Sequence, residues 1–289
     1  MKHLCLSLLA LLLTTASFAQ KAAAPSCCAK PAADALVAFA SLAADPAFMS
    51  GHDSPLPLDY APQAAGQNIT FATPDSSTGD GYEVHPVKPN GKYLLVIHEW
   101  WGLNDYIKRE TDRLAANLPG VTVLAVDLYD GKLANDAQEA SRLVQAVDNG
   151  RAKNILRGAI QHAGPKAQIA TLGWCFGGGW SLQAAMLAGK QAVGCVVYYG
   201  MPEKDVAKLK TLNTDVLGLF ATQDQGISPA VVKQFQADMK QAGKQLTVHS
   251  FDAVHAFANP SNPKYDAKAA TQANTIALNY LLKKFKLKA

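Results

Sequence analysis

Four side chains of this 289-residue chain have the types and positions for attack on a carbonyl: Glu99, Cys175, Asp224 and His255. A sulfur nucleophile needs a base to take its proton and a carboxylate to orient that base. It also needs N–H donors where negative charge develops on oxygen. Cys175 stands in "TLGWCFGGGW", a G-x-nucleophile-x-G turn from strand to helix with cysteine in the place more often held by serine. So sharp a turn strains the nucleophile's backbone, and Gly173 and Gly177, two before and two after, must stay small. The following helix aims its N-terminus at the sulfur, where its dipole and free N–H groups favour a thiolate and an oxyanion. The N–H of Phe176 is one expected oxyanion donor. No Lys-Ser/Thr pair follows the glycines, which argues against a phosphate loop.

Asp224, in "FATQDQGIS", and His255, in "FDAVHAFANP", follow in the chain order nucleophile, acid, histidine. Among rival histidines, His3 lies in a leader, His85 and His162 fall in loops or on helix surfaces, and His249 sits inside a strand. His52 and Asp53, in "SGHDSPLP", read as a surface loop rather than as ligands. Asp215 and Asp252 come before or beside a strand rather than in the loop after it. Glu99 ends the apolar run "YLLVIHE", so it enters the site partly desolvated, with raised proton affinity, suited to hold or accept the cysteine proton. The Trp100 N–H is the second expected oxyanion donor. Trp100 and Trp101 read as a pocket wall or as plain core packing. His98 is a second candidate base but should face the other side of the strand.

These residues need a scaffold that brings strand ends together. "NITFAT" and "YEVHPVK" read as a hairpin around the turn "PDSSTGDG". "KYLLVIHE", "VTVLAVDLY", "AQIATLGW", "QAVGCVVYYG", "TDVLGLFAT" and "QLTVHSFD" read as further strands, several apolar throughout as in a parallel sheet buried on both faces. Helices alternate with them: "NDYIKRETDRLAANL" capped by Asn104 or Asp105, a helical stretch interrupted near Asn149-Gly150, "GGWSLQAAMLAG", "SPAVVKQFQADMKQAG" and "DAKAATQANTIALNYLLKKF". This order predicts an α/β fold: a mostly parallel, doubly wound sheet with helices on both faces and its site at the carboxyl ends of the strands.

Together these segments resemble the dienelactone hydrolase family of the α/β-hydrolase superfamily. The resemblance spans roughly Ile69 to Phe285 and is carried by "HEWWGLNDYIKRETDRLA", "AVDLYDGK", "GWCFGGGWSL", "VVYYG", "FATQD" and "HAFA". It implies an α/β-hydrolase fold, Cys175, Asp224 and His255 as a triad, and Glu99 as the glutamate that pairs with a largely uncharged resting thiol. Two departures stand out. The family's dienelactone-cleaving members clamp the substrate carboxylate with two arginines; here Asn259 occupies one of those places and Ala137 lies near the other. Asn259 is therefore read as a residue of the substrate pocket, with Trp101.

Residues 1–19 read as an export signal: Lys2 and His3, an apolar run from Leu4 to Leu13, then small residues, with cleavage after Ala19 and a periplasmic or secreted mature protein. Residues 20–66 read as an Ala- and Pro-rich extension, partly helical, packing on the outside of a domain spanning 67–289. Cys195 belongs to the core, and Cys27 and Cys28 form an adjacent, redox-labile pair. With 49% hydrophobic residues the chain can bury a large core, and a formal charge of +4 without a basic block implies no nucleic-acid partner. The apolar leader run is too short for a membrane span. The expectation is an exported hydrolase of a small ester or lactone, using no metal and no organic cofactor, of unspecified oligomeric state. The alternatives are a non-catalytic redox or soft-metal-binding protein on the same scaffold, and an acyltransferase.

Overall fold

The computed structural model describes residues 35–58 and 66–288. The expected export signal and the Cys27–Cys28 pair lie outside these residues. Eight strands run β1 (Gly66–Ala72), β2 (Thr78–Val84), β3 (Lys92–Ile97), β4 (Val121–Val126), β5 (Gln168–Trp174), β6 (Ala192–Tyr198), β7 (Val216–Ala221) and β8 (Leu246–Phe251). They form one sheet in the order β1-β2-β4-β3-β5-β6-β7-β8. The hairpin β1–β2 and the pair β2–β4 are antiparallel, and every other pairing is parallel. This is the mostly parallel, doubly wound sheet of the α/β-hydrolase fold. The strand order reverses after β4, so β3 and β5 flank the switch point where such sheets open a crevice at their carboxyl ends.

Local chemistry explains the element boundaries. Every residue of β4 and of β7 is buried, as their unbroken apolar runs require. Asn104 caps α3 (Asp105–Asn117), its side chain accepting from Ile107 N–H at 3.2 Å. The long helical stretch splits into α4 (Ala137–Ala146) and α5 (Asn149–Ala163) because Asp148 starts a new helix, accepting from Arg151 N–H at 2.6 Å. The hairpin turn is tighter than the sequence suggested. Asp75 accepts from Ser77 Oγ at 2.7 Å, and Thr73 N–H donates to the Ser77 carbonyl at 2.9 Å. Strand β2 therefore begins at Thr78, inside the stretch read as turn. Gly81 belongs there because an added Cβ would stand 2.6 Å from the Ala125 carbonyl oxygen of the adjacent strand.

Two short helices of the extension, α1 (Ala35–Ala43) and α2 (Pro46–Ser50), share the core of the sheet domain. Asp45 caps α2, accepting from Ala47 N–H at 2.7 Å. The Phe39 ring lies 6.1 Å from that of Phe48 and 6.0 Å from that of Phe176, at the start of α6 (Phe176–Ala188). The extension thus covers the carboxyl ends of the strands. Remaining helices α7 (Val206–Leu209), α8 (Pro229–Gln241) and α9 (Ala267–Lys284) complete the two layers. Since Phe39 is buried in this shared core, Phe39→Ala is expected to lower the unfolding free energy by about 3 kcal/mol, read from urea denaturation. A loss within about 0.5 kcal/mol would mean that the extension adds nothing to the fold.

Candidate active site

Strand β5 ends at Trp174, and Cys175 turns the chain into α6 with φ 52° and ψ −115°, a left-handed conformation that only a tightly held turn imposes on a cysteine. The two flanking glycines make the turn possible. A Cβ on Gly173 would lie 2.1 Å from the Gly177 carbonyl oxygen, and one on Gly177 would lie 2.3 Å from that of Ile97. The helix start thus presses directly against β5 and β3. The sulfur sits at the N-terminus of α6, and the Phe176 N–H bonds to it. Among the described residues the Trp100 N–H has no acceptor.

The structure brings three of the four chemistry-bearing residues into one line. His255 Nε2 lies 3.2 Å from Cys175 Sγ, and His255 Nδ1 lies 2.5 Å from Asp224 Oδ2. The other Asp224 oxygen accepts from the N–H groups of Gly226 (2.9 Å) and Ile227 (2.8 Å), which fixes the carboxylate in the loop after β7. Burial works against charge on Asp224, but the His255 imidazole and these two N–H groups outweigh it and hold its pKa below the ordinary range. Burial likewise disfavours a charged His255, yet Cys175, once its sulfur is ionised, and Asp224 raise its pKa well above the usual histidine value, so sulfur and imidazole hold one proton between them. The Cys175 thiol, 1% exposed, is pushed up by burial and by Glu99, against the downward pull of His255.

Glu99 departs from the expected pairing. Its oxygens accept from the Tyr199 hydroxyl at 3.2 Å and from the Asn259 side-chain amide, not from the thiol. Burial raises its pKa to about 7, while His255, Tyr199 and Asn259 pull it down. Asn259 is in turn fixed by Ser261, whose N–H and hydroxyl donate to its Oδ1 at 2.8 and 2.7 Å. The residue read as a substrate contact is thus first of all the anchor of Glu99. Trp101 is buried edge-to-face against Trp100 (5.1 Å) and does not line the neighbouring cavity. That cavity, about 350 Å³, has Glu99 and Asn259 on its inner wall and Trp174, Tyr106, Tyr265 and Arg109 around them.

The rival candidates have other duties. His98 donates from Nδ1 to the Glu99 carbonyl (2.6 Å) and accepts at Nε2 from Leu128 N–H (3.1 Å), which spends both ring nitrogens on the far side of β3. His162 lies 3.0 Å from Glu83, Asp252 bonds to the Gln223 amide, and Asp215 pairs with Lys284. Cys195 is a core residue whose thiol burial pushes up to about 11.

His52 was misjudged by its sequence context. Far from lying on a surface loop, it is 7% exposed, 5.2 Å from the His255 ring and 4.5 Å from the Trp100 ring. Nothing in "SGHDSPLP" says where the extension docks. The one available signal was the Asp45-Pro46 helix start, which sets the turn carrying His52 but not its destination. Tyr199, with φ 35°, is a partner of Glu99 that no local signal marks, because its segment reads as ordinary apolar strand.

Comparison with known proteins gives the family and the fold. The model of the dienelactone hydrolase family matches residues 80–285. The chain is similar to the carboxymethylenebutenolidase of Pseudomonas putida, 27% identical over 231 residues, covering 74% of this chain and 95% of that protein. It is also similar to the carboxymethylenebutenolidase of Pseudomonas sp. strain P51, 25% identical over 224 residues, covering 72% and 92%. In fold it is similar to a dienelactone hydrolase-like promiscuous phosphotriesterase from metagenomic libraries, with TM-score 0.65, 22% identity, and 76% and 99% of the two chains covered.

The buried Glu99 makes stability depend on pH. Its pKa of about 7 lies above that of an unfolded carboxylate, so the folded state binds this proton more tightly. The resulting stabilisation is complete below the ordinary carboxylate range and is lost as pH rises through about 7. Glu99→Gln mimics the protonated form, so between pH 5 and pH 8 the wild type should lose about 3 kcal/mol relative to it. Parallel denaturation curves at the two pH values measure this; a difference unchanged with pH would contradict it.

Proposed function

The chain belongs to the dienelactone hydrolase family, and on that premise we propose that it cleaves a carboxylic ester or lactone through an acyl-enzyme on Cys175. The observation that carries this reading is the line Cys175 Sγ–His255 Nε2 at 3.2 Å and His255 Nδ1–Asp224 Oδ2 at 2.5 Å. The sulfur attacks the carbonyl carbon while its proton passes to His255. Asp224 holds the imidazole in register and stabilises its charge. The N–H groups of Phe176 and Trp100 receive the oxyanion, each contributing about 3 kcal/mol of barrier lowering. His255 returns its proton to the leaving oxygen, which departs as an alcohol or, for a lactone, as the freed end of the same molecule. Water then gives a proton to His255 and attacks the thioester; the C–S bond breaks, the acid leaves, and the sulfur takes that proton back from His255.

Glu99 is a second proton acceptor in this scheme. Above about pH 7 it is ionised, and its charge favours the imidazolium that forms on His255. The cavity of about 350 Å³ behind Glu99 and Asn259 suits the body of the substrate. There the Arg109 guanidinium lies 4.9 Å over the Tyr106 ring, and it has no carboxylate partner among the described residues. It stands in for the arginine that Asn259 replaces. We also retain the reading of residues 1–19 as an export signal. A buried, protonated thiol suits an oxidising compartment, because the thiolate is the form that oxidants attack.

Cys175→Ala should reduce turnover of a small activated ester at least about a thousandfold. The acyl-enzyme should appear as a mass increment on Cys175 of the wild type after rapid acid quench. Retention of most of the activity in the variant, with contaminating esterases removed, would refute the mechanism. Recovery of the native protein from the cytosolic fraction would refute export alone.

A further inference from the structure

His52 comes from outside the segment that matches the family, and it delivers to the sulfur an atom with no partner. Its Nδ1 lies 2.7 Å from the Phe48 carbonyl oxygen, which can only accept, so Nδ1 carries the hydrogen. A second hydrogen, on Nε2, would be buried with no acceptor among the described residues, so the ring is neutral. A neutral ring with hydrogen on Nδ1 presents a bare lone pair at Nε2. That nitrogen is fully enclosed and has no hydrogen-bond partner among the described residues. It cannot serve as an oxyanion donor. It is a ligand atom or a base.

The second histidine is oriented the same way. Asp224 holds His255 at Nδ1, which leaves Nε2 directed at the sulfur. A backbone carbonyl behind one imidazole and a carboxylate behind the other are the supports that turn histidines toward a metal ion. The ligand atoms of His52, Cys175 and His255 all lie within 4.8 Å of one another. In a tetrahedral zinc site, with bonds of about 2.0 Å to nitrogen and about 2.3 Å to sulfur, ligand atoms stand roughly 3.5 Å apart. A small inward turn of His52 therefore closes the set.

We propose that His52, Cys175 and His255 form a binding site for a thiophilic divalent cation of the zinc type, with two imidazole nitrogens and one thiolate as ligands. Binding exchanges one proton for the ion: the proton shared by the Cys175 sulfur and His255 Nε2 leaves, and bonds form from sulfur and both nitrogens to the metal. The fourth position is left to water. The bound ion takes the sulfur and the imidazole that the proposed hydrolysis uses, so occupancy and ester turnover exclude each other. The extension thereby adds to the domain a reversible, metal-dependent block.

The test uses the full chain carrying Cys27→Ser and Cys28→Ser, because those two thiols would compete for zinc. After stripping with a chelator, zinc is titrated against a chromophoric chelator. One zinc should bind per chain, releasing one proton, and His52→Ala and His52→Gln should each weaken binding at least about tenfold. Cobalt added to the parent should give a thiolate-to-cobalt absorption band that Cys175→Ser abolishes. The site is refuted if cobalt shows no sulfur band, if the parent binds zinc only at millimolar concentration, or if both folded His52 variants bind zinc as tightly as the parent. These readouts do not depend on ester turnover, so failure of the hydrolase reading and failure of this site are told apart. Where turnover is present, zinc should suppress it in proportion to occupancy, at a concentration at least about ten times higher in His52→Ala.

Discussion

The site depends on a steric constraint that involves no charge at all. Helix α6 approaches β5 at Gly173 and the end of β3 at Gly177 so closely that neither glycine has room for a Cβ, and this packing holds Cys175 in a left-handed backbone conformation. Relaxing the contact would let the turn open and swing the sulfur away from His255. The same packing sets the Phe176 N–H, at the start of α6, beside the sulfur. Position and electrostatics of the nucleophile thus have one origin, and the energy stored in the strained turn is met by an almost wholly buried helix behind it.

Around that point the protein arranges acids by environment. Asp224 takes two backbone N–H groups and an imidazole, and stays ionised. Glu99, equally enclosed but given one hydroxyl and one amide, titrates near neutrality. Two carboxyl groups near one histidine therefore differ in proton affinity: burial prevails at Glu99, whereas direct contact with the imidazole and two N–H groups overcomes it at Asp224. The thiol between them is held protonated by burial. A site built this way keeps its most reactive atom quiet until a substrate alters the surroundings.

Much of this was written locally in the chain. The elbow needs glycines two residues to either side of Cys175, and strands that end in Glu99, Asp224 and His255 converge because a doubly wound parallel sheet gathers its carboxyl ends. Partner choice was less legible. Glu99 bonds to Tyr199 and Asn259, and that depends on how the chain following β6 and the loop after His255 pass each other, which no spacing reveals. Least legible was His52, since the docking of α1 and α2 rests on ring contacts of Phe39 and Phe48 with residues more than fifty positions away. An amphipathic stretch announces that it will pack; it does not announce where.

With only 1% of Cys175 reaching the surface, a reactant has to displace side chains that enclose it, and among the described residues two groups flank the triad. The first is the turn bearing Phe48 and His52, seated on Trp100 and His255 by aromatic contact. The second is the polar partition of Glu99 and Asn259 facing the cavity. The two groups answer to different conditions. Apolar seating weakens on cooling and in chaotropes, whereas the carboxyl–amide latch changes its hold as Glu99 gains or loses a proton. The packing on the two sides of the triad therefore responds to temperature on one side and to acidity on the other.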